Sequence, residues 1–279
     1  MKTVITILAE NYAGKSGLIA EHGFSAFIHS PKGRYLFDTG PGRSLPHNVE
    51  KLNIDLKETD KIILSHGHYD HTGGVKWALG QTGPIPVVAS DHLFMPHMAL
   101  TPENSSKPPR HVGCPFTQKE LEDAGARFVF LNQTTKIDEG VWFITHYPRP
   151  VETVPNDPKL VLIHGNRIVP DDLPDDSCLL IENDPAPILI LGCTHSGIIN
   201  TLLHLKNQMG ISKLKAVIGG THLMASDEAA VRRTIDIFEE FSVGLIGTAH
   251  CTGFKASVQM ATHFKERFVL AATGSVISL

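Results

Sequence analysis

The chain carries little chemistry in thiols. Its four cysteines, Cys114, Cys178, Cys193 and Cys251, stand far apart in 279 residues, with no C-x-x-C pair. That spacing excludes a zinc ribbon and a thioredoxin-type redox motif, and four reduced thiols are expected. Long apolar runs are missing too. No stretch approaches the ~20 apolar residues of a membrane-spanning helix. Met1 to Ala9, one Lys and a short apolar run ending at Glu10, is too short and poorly flanked for a signal peptide. A soluble, cytoplasmic protein with no membrane partner is the expectation. A basic excess is also absent, with 25 Lys plus Arg against 29 Asp plus Glu. A surface that neutralises many phosphates is therefore disfavoured, and no nucleic-acid partner is expected.

What is present is an ordinary globular balance, 42% hydrophobic and 19% charged, which argues against disorder, collagen and coiled coil alike. Sixteen histidines stand out against it. Histidine is the commonest metal ligand and the one side chain with an unperturbed pKa near neutrality, so the excess points to metal or acid/base chemistry.

Strands and helices alternate along the whole chain. Phe24 to His29 and Tyr35 to Asp38 read as a β-hairpin around Pro31-Lys32-Gly33, and Ser44 to Leu52 as a helix. Lys61 to Ser65 is a continuous apolar run of the kind that suits a strand covered on both faces. Thr117 with Glu120 writes a capping box for a helix ending near Gly125. Strands are expected at 85–89, 127–131, 141–145, 160–164, 178–182, 188–191, 216–218, 243–247 and 268–270. Helices are expected at 75–79, 197–210 and 227–241, the last capped by Ser226. Residues 91–116, with five prolines, and 148–158, with four, read as irregular segments over a pocket. His92, His97 and His111 in the first of these read as exposed. With no linker or composition shift between halves, residues 1–279 are expected to form a single domain.

The decisive segment is His66-Gly67-His68-Tyr69-Asp70-His71, placed directly after the apolar run. Three imidazoles and a carboxylate within six residues suit a borderline divalent metal such as zinc. In extended chain His66 and His68 point the same way and can share one ion. A turn after His68 aims Asp70 and His71 at a second, and Gly73-Gly74 lets backbone approach closely.

This H-x-H-x-D-H loop after a strand resembles the metallo-β-lactamase fold superfamily. Seven segments, the loop's own among them, are similar to its 7,8-dihydropterin-6-yl-methyl-4-(β-D-ribofuranosyl)aminobenzene 5'-phosphate synthase-like branch. They are Gly17 to Ser25, Leu36 to Gly40, Leu64 to Gly74, Asp175-Asp176, Gly192 to Gly197, Ile218 to Leu223 and His250 to Gly253. The resemblance implies an α/β fold, a four-layered αββα sandwich of two mixed sheets flanked by helices. It implies one or two divalent ions, zinc first, with manganese, iron or magnesium as alternatives. His66, His68 and His195 would hold the first ion, and Asp70, His71 and His250 the second. Asp70 would also act as the catalytic base.

Other residues are implied as support or substrate contacts: Asp38 behind the metal loop, His222, and Glu21 with His22 at the pocket mouth or in an ordinary polar loop. One position departs from the superfamily pattern. Where many members carry Gly-Asp, with the Asp bridging two metals, this chain has Gly192-Cys193. Either Cys193 bridges as a thiolate, or an acid from Asp175-Asp176 substitutes, or the second site is weak. The activity implied is that of a hydrolase or diphosphate-displacing transferase on a small phosphorylated or pterin-like molecule. A non-catalytic metal-binding or sensor protein is the alternative. A diiron oxidoreductase is disfavoured because such members carry Glu where His68 stands. Oligomeric state is not written in the sequence.

Overall fold

The computed structural model describes residues 2–101, 108–151 and 157–279. The first half runs β1 (Val4–Ala9), β2 (Ser25–Ser30), β3 (Gly33–Phe37), α1 (Ser44–Lys51), β4 (Lys61–Ile63), α2 (Tyr69–Thr72), α3 (Val75–Thr82), β5 (Ile85–Ser90), β6 (Met98–Ala99), β7 (Arg110–His111), α4 (Gln118–Asp123) and β8 (Ala126–Leu131). The second runs β9 (Thr135–Asp138), β10 (Val141–Ile144), β11 (Leu160–His164), β12 (Arg167–Pro170), β13 (Cys178–Ile181), β14 (Ile188–Leu191), α5 (Ile198–Met209), β15 (Ala216–Gly219), α6 (Glu228–Glu240), β16 (Leu245–Thr248), α7 (Phe254–Phe264), β17 (Phe268–Leu270) and β18 (Val276–Ser278).

Two seven-stranded mixed sheets form the centre, in the orders β18-β1-β2-β3-β4-β5-β8 and β17-β16-β15-β14-β13-β10-β9. In the first, β3, β4, β5 and β8 are parallel. In the second, β14, β15, β16 and β17 are parallel. Period-two alternation decides which side chain goes where. On β14, Ile188 and Ile190 join Phe24, Phe37 and Ile63 of the facing sheet in the interior between the sheets. Leu189 and Leu191 point the other way, under Leu202 of α5, Phe238 of α6 and Met260 of α7. The outer face of the first sheet is covered by Leu45 and Val49 of α1, Val75 and Leu79 of α3 and Leu121 of α4. The layers are thus helix, sheet, sheet, helix, as expected.

Some local expectations are corrected. A third, antiparallel sheet of four short strands, β12-β11-β6-β7, takes β6 and β7 from the first segment read as irregular and pairs them with the expected β11 and the unanticipated β12. Part of each segment read as irregular, 102–107 and 152–156, lies outside the described residues. Helix α7 and strands β9 and β18 were not anticipated. Asp227, not Ser226, caps α6, its carboxylate accepting from the Ala230 N–H. His97 is wholly buried, not exposed, whereas His111 is exposed as expected. No helix among the described residues is long and apolar enough to cross a membrane.

Candidate metal centre

Ligands of open α/β sheets gather beyond the carboxyl ends of parallel strands, and here two sheets present such ends side by side. Asp38 follows β3, His66 follows β4, Cys193 and His195 follow β14, His222 follows β15 and His250 follows β16. His68 precedes α2, and Asp70 and His71 lie within that one-turn helix, so the chain folds back on the His66 strand end. His66, His68, Asp70, His71, Cys193, His195 and His250 are all buried.

Their donor atoms converge in linked groups. One atom each of His66, His68 and His195 lie within 4.8 Å of one another, and so do those of His66, His71 and Cys193, and of His22, Asp70 and His250. Cys193 also joins His195 with His222, and His250 with Cys251, which puts the thiol in the middle of the constellation. Its Sγ is 3.2 Å from His71 Nε2. His250 Nε2 and His22 Nε2 face Asp70 Oδ2 at 3.4 and 3.5 Å, and His222 lies against His195 with ring centroids 4.2 Å apart.

Behind these atoms stands a shell that fixes ring orientation. His71 Nδ1 meets Asp38 Oδ2 at 2.7 Å, and the same carboxylate accepts from the Ser65 N–H and hydroxyl, both at 2.7 Å. Ser65 Oγ lies 2.9 Å from His66 Nδ1. His250 Nδ1 is 2.9 Å from Asn11 Oδ1, and its N–H donates to Glu10 Oε1 at 2.6 Å. The Nδ1 contacts of His66, His71 and His250 each tie up one ring nitrogen and turn Nε2 toward the centre, the usual arrangement around metal-ligating histidines. Gly192 is required here, because a Cβ at that position would lie 2.1 Å from Ser65 Oγ.

Several anticipated residues take different places. Glu21 does not line the pocket: its Oε2 accepts from the Arg43 and Ser44 N–H groups at the start of α1. Asp176 gives one oxygen to the Ser196 N–H. Asp175 gives one to the Gly67 N–H at 2.6 Å and to His97 Nε2 at 3.3 Å. Sequence reasoning missed Glu10, Asn11, Ser65 and the His97–Asp171–Asp175 cluster. His97 Nδ1 meets Asp171 Oδ2 at 2.6 Å.

Burial first, then neighbouring imidazoles, holds His66 and His195 well below the usual histidine range, and burial brings His68 down to about 4. These rings are neutral, the form that binds metal. Burial opposes a charge on His71, but Asp38 outweighs it and lifts the ring to about 9. At Asp70 burial is likewise outweighed, by the hydrogen bond with His250 and the charge of His71, and the carboxyl stays below its ordinary range. For His97, the two aspartates overcome burial and carry it up to about 10.

His68 Nε2 and both ring nitrogens of His195 are buried with no protein partner. Orphaned polar atoms of this kind cost roughly 1–3 kcal/mol each and call for a partner. Neutral imidazoles, a carboxylate and a thiol fit a borderline divalent metal.

The comparisons with known proteins agree with this geometry. The model of the metallo-beta-lactamase superfamily matches residues 19–250. A 7,8-dihydropterin-6-methyl-4-(beta-D-ribofuranosyl)-aminobenzene-5'-phosphate synthase of Methanocaldococcus jannaschii is 32% identical over 98% of this chain and 95% of its own length. An uncharacterized protein of the same organism is 32% identical over 99% of this chain and 100% of its own. The crystal structure of Tm1679, a metal-dependent hydrolase of the beta-lactamase superfamily, superposes with TM-score 0.84 at 23% identity, covering 99% of both chains.

Proposed function

The chain belongs to the metallo-beta-lactamase superfamily, and from that premise we propose that it is a metal-dependent enzyme acting on a small phosphorylated or pterin-like molecule. The reaction is a hydrolysis or a displacement of diphosphate. The observation that carries this reading is the set of unpartnered, buried ring nitrogens of His68 and His195 next to His66.

His66, His68 and His195 would hold the first ion and Asp70, His71 and His250 the second, and Cys193 is a further donor close to both groups. Zinc suits this donor set best. When bound, a divalent ion supplies Lewis acidity toward a phosphoryl oxygen and makes water more acidic. The protein's own groups do the rest. Asp38 and Ser65 orient His71 and His66, Asn11 and Glu10 orient His250, and the buried walls limit access of water. Asp70 is kept ionised by its neighbours, and as catalytic base it would accept the proton of the attacking nucleophile. The similarity to the pterin synthase supports a pterin-like or phosphorylated substrate, and the hydrolase neighbour supports the fold's use in hydrolysis.

The test is metal analysis of the purified protein, followed by a screen against phosphodiesters, lactones, thioesters and pterin diphosphates, with chelated protein as control. Chelator-sensitive turnover of a phosphorylated or pterin compound is expected. Less than one tightly bound transition metal per chain, or turnover untouched by chelator, sinks the reading.

A further inference from the structure

The loop between β1 and β2 is pinned on both sides of His22. Before it, the Glu21 N–H donates to the Glu10 carbonyl at 3.0 Å, and the Glu21 carboxylate holds the start of α1. After it, the Gly23 N–H donates to Asn11 Oδ1 at 3.2 Å, the same oxygen that meets His250 Nδ1. The Phe24 N–H then donates to the Asp70 carbonyl at 3.2 Å. Only glycine permits so close an approach at position 23, where φ is 153° and a Cβ would lie 2.3 Å from that carbonyl oxygen. The loop is thus built to press onto the one-turn helix that carries Asp70.

What it delivers there is an imidazole. His22 Nε2 lies 3.5 Å from Asp70 Oδ2, and His250 Nε2 lies 3.4 Å from the same oxygen. Both distances are long for hydrogen bonds, which run to about 2.7–3.2 Å for N–H···O. They suit donors that share an ion, because bonds of ~2.0–2.2 Å at tetrahedral angles set ligand atoms about 3.3–3.6 Å apart. One donor atom each of His22, Asp70 and His250 lie within 4.8 Å of one another, and the two rings pack with centroids 4.7 Å apart. The side chains of Asp70 and His250 are 12% and 2% exposed, and that of His22 is 57% exposed, so His22 closes this group from the solvent side.

We propose that His22 is a further ligand of the second ion, added to Asp70, His71 and His250 from the mouth of the site. The first ion then keeps three histidines and an open position, the arrangement of a catalytic site, while the second is closed by a ring at the surface. That half-exposed ring is the ligand at which the second ion exchanges with solvent. A further imidazole also tilts the second site toward borderline ions such as zinc and cobalt and away from magnesium and manganese, which oxygen donors suit. The inference rests on the two-ion reading of the centre.

The experiment titrates metal-free protein with zinc against a chromophoric chelator, for wild type, His22→Ala and, as a control for an exposed imidazole, His164→Ala. Two binding steps are expected in the wild type. His22→Ala should weaken the second by about tenfold or more, at least what loss of a supporting partner costs, and leave the first unchanged; His164→Ala should alter neither. His22→Asp, which supplies an oxygen donor in place of nitrogen, should shift the second step toward manganese relative to zinc. Acylation of His22 by diethyl pyrocarbonate, read by mass spectrometry, should be blocked in protein carrying two zinc ions and proceed in protein carrying one. Equal affinities of wild type and His22→Ala in both steps, or acylation of His22 that the second ion does not slow, overturns the proposal alone. A wild type that binds a single ion overturns it together with the two-ion reading. A failed activity screen removes the enzyme reading and leaves these binding results decisive.

Discussion

Asp38 Oδ2 lies 2.7 Å from His71 Nδ1, and neither side chain is exposed to solvent. Three donors converge on that carboxylate, from His71 and from the Ser65 amide and hydroxyl, so it orients two histidines of the centre at once. Its backbone has φ 52°, a conformation that Asn tolerates. Asp38→Asn should therefore fold, yet a carboxamide cannot accept all three donors. Metal affinity should fall by about 10- to 100-fold, the usual cost of losing such a partner. Competition against a chromophoric chelator measures it. An unchanged affinity would show that Asp38 only supports the turn.

Gly192 tests the same shell from the other sheet. A methyl there would lie 2.1 Å from Ser65 Oγ and 2.5 Å from Ser65 Cβ, closer than real contacts allow. Ser65 must move, and it cannot move without releasing Asp38. Gly192→Ala should cost about 1–3 kcal/mol of stability, as overpacking does, and should lower metal affinity together with it. Urea unfolding with parallel metal analysis checks both. Full stability with full affinity would mean that the two sheet ends yield more easily than their spacing suggests.

The H-x-H-x-D-H loop was legible because its candidate ligands are contiguous and follow an apolar strand. β4 announced itself as buried on both faces, while the sandwich was implied by the resemblance and shows in the packing of Ile188 and Ile190 against one face and Leu189 and Leu191 against the other. Neighbouring positions in sequence carried the loop and its strand. His97 was misread because its burial depends on Asp171 and Asp175, 74 and 78 positions away, and no local pattern encodes such pairing. Glu10 and Asn11 reach His250 across roughly 240 positions for the same reason. Helix α7 had a faint signal, Ala256, Met260 and Phe264 at intervals of four, weakened by the small and β-branched residues between them. Glu21, left open between the pocket mouth and an ordinary polar loop, takes the second place, because a carboxylate near uncapped amides is drawn to them.

His97 gives a stability prediction that the sequence did not suggest. Its imidazole joins two aspartate side chains, and all three side chains at that junction are shielded from solvent. Asp175 also holds the Gly67 amide inside the metal loop. His97→Ala leaves two carboxylates facing each other without their shared partner, which should cost about 3 kcal/mol or more. The double change with Asp171→Asn should recover part of the loss, since one charge is then gone. Denaturant unfolding of wild type, single and double variants closes the cycle. A loss below about 1 kcal/mol for the single change would show that water takes over the role of the ring.

Cys193 is the residue on which the proposed number of ions can be tested. It sits 3.2 Å from His71 Nε2, where a bridging residue belongs, while Asp175 and Asp176 have each turned one oxygen to a backbone amide. Burial first, then the neighbouring Cys251 and the carboxylates of Asp70 and Asp176, push the Cys193 thiol up, so its thiolate requires a cation beside it. Cys193→Ser should weaken or empty the second site while the ion held by His66, His68 and His195 remains. Cys193→Asp should restore binding through a harder, oxygen ligand. Cobalt substitution separates the roles spectroscopically: a sulfur-to-cobalt charge-transfer band is expected in the wild type and absent from both variants. If the band is missing in the wild type and Cys193→Ser binds as many ions as before, the thiol is a bystander and the second ion has other support.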